Sequence, residues 1–112
     1  MIRQSYTAVV ERNTVWSGPF ATEPYETGWA GEAIFFVRAL EAHGVPAGAA
    51  ARVQISPDGI RWCDEAASLP LPTEAGAAGF VRVGHFGAWL RLAGELPEGA
   101  RLTVIVYLVL KS

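Results

Sequence analysis

Cysteine is nearly absent. The one residue, Cys63, rules out a disulfide within the chain and has no second thiolate with which to hold zinc. Lysine is as scarce: Lys111 stands alone against eight arginines, which are scattered singly, and the net charge is −2. The basic stripe that follows a nucleic-acid backbone is therefore missing, and no nucleic-acid partner is expected. The histidines, His43 and His85, fall in no His-x-His, His-Glu-x-x-His or EF-hand spacing, so neither metal nor cofactor is expected. No apolar run reaches the 18 or so residues of a membrane helix, and no membrane partner is expected. The N-terminal residues lack the apolar core of a secretory signal, so the chain is expected in the cytoplasm of its producing cell, or associated with a particle.

Catalytic constellations are thin as well. Cys63 and His85 could form a dyad, but a lone cysteine beside a tryptophan is more often a small buried hydrophobe, and no Gly-x-Ser-x-Gly elbow exists. The acidic neighbours Asp64-Glu65 and Glu95/Glu98 read as solvation of loop ends, and Gly76 and Gly79 lack the Lys-Ser/Thr of a phosphate cradle. No catalytic residue is expected, and the chain reads as a non-enzyme.

What the chain has in plenty is apolar strand surface. Hydrophobic residues make up 51% and charged residues only 18%. Residues 102–110 (LTVIVYLVL) form the longest strand-forming run. Leu102, Val104, Val106, Leu108 and Leu110 alternate with Thr103, Ile105, Tyr107 and Val109, so both faces are largely apolar. A strand wet on one side shows apolar/polar alternation; this one calls for cover on both faces, the second cover coming from another subunit.

Elsewhere the chain is punctuated every 8 to 16 residues by glycine and proline. Residues 4–11 alternate as a first strand that runs toward Val15-Trp16. Residues 20–31 are irregular, yet carry Phe20, Tyr25 and Trp29, too many large rings for an idle loop. Residues 32–41 (EAIFFVRALE) could be helix or strand; the β-branched and aromatic centre and glycine-rich flanks favour strand. Residues 52–63 read as a hairpin turning at Ser56-Pro57-Asp58-Gly59, with Ile60 and Trp62 resuming the alternation on the core side. Residues 64–79 read as a loop or edge excursion, followed by short strands at 80–83 and 88–93. About seven to eight strands without βα alternation predict a single all-β domain over 1–112, an antiparallel β-sandwich or jelly roll.

The SPDG-x-x-W hairpin (56–62) and the FGAWLRL segment (86–92) together resemble discoidin-like and phage-associated β-sandwich accessory domains. The same turn is similar to the sialidase Asp-box, with one residue fewer between Asp58 and Gly59 and in a single copy. The resemblance implies a β-sandwich that works as an accessory domain. It carries no functional residue over to this chain.

Two readings of the aromatic set compete. As packing or subunit anchors, Phe20, Tyr25, Trp29, Trp89, Arg91 and Tyr107 are the expected interface residues, since Trp, Tyr and Arg are enriched at interfaces. Trp89 shares a strand face with Arg91, opposite Leu90 and Leu92. As a sugar-stacking platform, Trp16, Trp29 and Trp89 would act with Asp58 or Glu26. The surplus of apolar strand surface favours the first: a homo-oligomer, a trimer or larger ring, that serves as a structural component such as a decoration or attachment subunit of a phage-like particle or protein shell.

Overall fold

A computed structural model describes residues 4–112, which form nine strands and two antiparallel sheets. The strands are β1 Ser5–Trp16, β2 Pro19–Ala21, β3 Tyr25–Glu26, β4 Glu32–His43, β5 Ala50–Ser56, β6 Cys63–Pro70, β7 Ala78–Gly84, β8 Trp89–Glu95 and β9 Arg101–Lys111. Sheet A runs β1-β9-β4-β7. Sheet B runs β2-β8-β5-β6, with β3 also paired to β8. Six of the eight connections cross from one sheet to the other, the β2–β3 link and the β5–β6 hairpin staying within sheet B, and this wrapping is that of a jelly roll.

The C-terminal run lies inside sheet A, as its composition requires, between β1 and β4. Its inward side chains, Leu102, Val104, Val106, Leu108 and Leu110, are fully buried. Phe35 and Val37 of β4 join them from the next strand, and Val53, Leu69, Leu90 and Leu92 of sheet B close the core from the opposite side. Residues 32–41 are strand. Their inward set is Ala33, Phe35, Val37 and Ala39, which leaves Ile34, Phe36 and Arg38 on the outside of sheet A.

Several local expectations are corrected. β1 does run on to Trp16, but through two register shifts against β9, with Asn13 at φ 55. Residues 64–79 contain a true edge strand, β6, irregular around Ala66 at φ 79. The hairpin turn is longer than its alternation implies. Ile60 is 76% exposed, and Trp62 leaves the core for the outer face of sheet B. Cys63 is exposed, not buried.

Candidate functional site

The outer face of sheet A is set by register. Val9 of β1 pairs with Tyr107 of β9, Tyr107 with Phe36 of β4, and Phe36 with Phe80 of β7, so one row of four apolar side chains crosses the whole sheet. The next row reads Thr7, Val109, Ile34 and Arg82. The Phe36 and Phe80 rings are 5.9 Å apart, and the Arg82 guanidinium lies 5.1 Å above the Phe80 ring. Neighbours within the sheet cover part of this face, leaving Ile105 only 9% exposed, but Val9 (40%) and Phe80 (48%) stay open. Four strands with an apolar outer surface are unusual for a sheet turned to water.

The outer face of sheet B is its opposite in character. Arg91 Nε donates to Gln54 Oε1 at 2.8 Å, Gln54 Nε2 donates to Asp64 Oδ1 at 2.9 Å, and Arg52 approaches the same carboxylate oxygen at 3.5 Å. The Arg91 guanidinium lies over Trp62, its carbon 4.3 Å from the ring centroid. Partial burial lowers the Arg91 pKa. Trp89 packs on Gly59, where a Cβ would come within 3.2 Å of the indole, and the φ of 79 there also suits glycine. Polar groups on this face are already satisfied by one another.

Asp58 is occupied in the same way. Its Oδ1 accepts from Ser56 Oγ at 3.0 Å and from the Ile60 and Arg61 amides at 2.9 Å each, while Oδ2 takes Arg61 Nη1 at 3.0 Å. These bonds, the Arg61 and Ile60 amides foremost, hold its carboxyl at about 2, below its ordinary 3.8. A folded pKa below the unfolded one means stability that is present above pH 3.8 and lost as the pH falls toward 2. Asp58→Asn is therefore expected to lower the unfolding midpoint at neutral pH and to flatten the acid side of the stability profile between about pH 4 and 2. Urea unfolding across that range reads it, and an unchanged acid limb would show that the turn does not depend on the charge.

The expected site residues do not converge. Phe20 is partly buried: its ring stacks on Trp16 at 4.1 Å between centroids and packs against the core cluster. Trp16 is 2% exposed, and its Nε1 has no hydrogen-bond partner among the described residues, so it cannot serve as a stacking platform. Tyr25 and Trp29 line an open cleft of about 590 Å³ with Tyr6 and Glu26 at the β1–β3 end of the sandwich. Burial, and then a side-chain hydrogen bond with Tyr6, raise the Tyr25 pKa. Glu26 Oε2 already accepts from the Gly28 amide at 2.8 Å. Trp89 and Arg91 lie on sheet B, and Tyr107 lies on the outer face of sheet A. Of the residues expected at contacts, Tyr107 alone sits in the apolar row. Its companions Val9, Phe36 and Phe80 were missed, although the alternation within residues 33–38 already separates Phe36 from Phe35.

These features define a class: an antiparallel jelly-roll sandwich with one apolar and one polar outer face. Among solved structures it resembles the crystal structure of YomS, a protein derived from the SPBc2 prophage, with a TM-score of 0.62 and 11% sequence identity over 100% of this chain and 96% of that one. At that identity the likeness is one of fold. No family model and no curated protein matches the chain.

Proposed function

We propose that the protein is a non-enzymatic structural or accessory component of a phage-like particle or protein shell, such as a decoration or attachment subunit, and that copies assemble through the outer face of sheet A. The observation that carries this reading is the Val9–Tyr107–Phe36–Phe80 row, an apolar band across a sheet over which the described residues lay no second layer. Burying such a band is favourable at roughly 25 cal/mol per Å² of apolar surface, and another copy or a shell subunit supplies the cover. The fold shared with a prophage-derived protein supports the setting, as do the shell-forming proteins built on jelly rolls.

The carbohydrate reading ranks second. It retains Trp29 and Glu26, which share the cleft with Tyr6 and Tyr25, but Trp16 is buried and Asp58 is engaged in its own turn.

Light scattering on the purified chain tests assembly. A mass at least twice that of one chain is expected across the micromolar range, and a chain that stays at the mass of one copy overturns the reading.

A further inference from the structure

A sheet edge is a row of unmet backbone donors and acceptors, and most edges here are blunted. β1 is broken by two register shifts. β6 is irregular and ends in Pro70. β2 and β3 are three and two residues long. β7 is the exception: it pairs with β4 from Glu32↔Gly84 to Arg38↔Ala78 without a shift.

The direction of its free groups follows from the ladder. Ala39 N donates to Ala77 O, so Ala39 and Ala77 face each other in a hydrogen-bonded position. In an antiparallel pair these positions alternate. Gly79, Val81 and Val83 therefore turn their amides and carbonyls toward β4, and Ala78, Phe80, Arg82 and Gly84 turn theirs away from it.

We infer that β7 pairs antiparallel with β7 of a second copy about a two-fold axis at Val81, joining the two A sheets into one eight-stranded sheet. This rests on the self-association proposed above and adds to it a contact at the edge of sheet A; the joined outer faces stay open to a further copy or a shell subunit. Val81 is the midpoint of the strand, so this register alone overlaps all seven residues. It sets Phe80 of each copy opposite Arg82 of the other, with the outward-facing backbone groups of both in hydrogen-bonding positions. The side chains are complementary too, since Arg82 already lies over a phenyl ring within its own strand. A register centred on Arg82 would instead oppose two like charges. Across the axis the rows become continuous: Val9, Tyr107, Phe36 and Phe80 lead into Arg82, Ile34, Val109 and Thr7 of the second copy. A ring needs two different complementary patches, whereas this edge is complementary to itself, so a two-fold replaces the trimer or ring as the expected unit.

The test uses the full chain with the exposed Cys63 changed to serine. Val81→Cys in that background places two thiols in a non-hydrogen-bonded position with Cα atoms about 4.5 Å apart, within disulfide reach. Mild oxidation is expected to yield a disulfide-linked dimer as the main product. Phe80→Lys, exposed and therefore compatible with folding, sets lysine against Arg82 of the second copy and is expected to weaken association at least tenfold; adding R82E to F80K restores it. Circular dichroism confirms that each variant is folded. If the Cys63→Ser parent self-associates but V81C does not cross-link, or F80K associates as the parent does, the β7 pairing is wrong while self-association stands. If the parent is monomeric, both fall.

Discussion

Phe35→Ala is expected to lose about 3–5 kcal/mol of folding free energy, the cost of removing a fully buried aromatic ring from a core that cannot collapse around the gap. For a domain of this length that corresponds to a fall in Tm of roughly 15–25 °C. The ring sits in the middle strands of sheet A, opposite Leu108 in register and beneath sheet B, so its neighbours are themselves held on several sides. Phe36→Ala makes the contrast. One residue on, the ring is on the outer face and half-buried, and its loss is expected to cost about 1 kcal/mol. Thermal and urea unfolding of the two variants side by side decide the matter: equal losses would mean that the two faces of β4 have been assigned wrongly.

Gly79→Ala is expected to be nearly as damaging for the opposite reason. A Cβ at this position would run into the Pro70 carbonyl oxygen, with Leu69 Cδ2 at 3.4 Å. The obstacle is backbone, so relief requires moving the end of β6 away from β7 where the two sheets meet at their edge. Overpacking of this kind costs about 1–3 kcal/mol, and a backbone clash belongs at the upper end. Gly31→Ala is the control. Among the described residues nothing lies within 4 Å of its added methyl, and its φ is not left-handed, so that variant is expected to match or slightly exceed the parent in stability. An unfolding midpoint for Gly79→Ala equal to that of Gly31→Ala would show that the β6–β7 corner is loose.

The sequence and the structure agree best where local chemistry decides alone. Residues 102–110 could be read as a central strand because a double-sided apolar alternation has few other uses, and β4 because Ile-Phe-Phe-Val fits a pleated surface better than a helix. The Asp58 turn was legible in its side-chain chemistry, and the structure shows the bonds that chemistry implies. Trp62 was misplaced because alternation was carried through residues 57–62, which are not extended, and a turn resets the phase of every side chain after it. Phe20 and Trp16 face each other across Ser17-Gly18-Pro19, a proximity that no period-2 pattern encodes. The interface residues were chosen by type, as large rings and arginine. The apolar face is instead set by cross-strand register among β1, β9, β4 and β7, and register between distant strands is not written in either strand by itself.

The place of β9 has a cost during synthesis. Made after the domain's other strands, it lies between β1 and β4, with Ser5 opposite Lys111 and Glu32 opposite that same residue. Until it leaves the ribosome, the two strands it must separate stand without their shared partner. A nascent chain of this protein is therefore expected to expose greasy half-sheets until β9 emerges, the kind of state chaperones bind, and to close slowly because its decisive contacts join strands far apart in sequence.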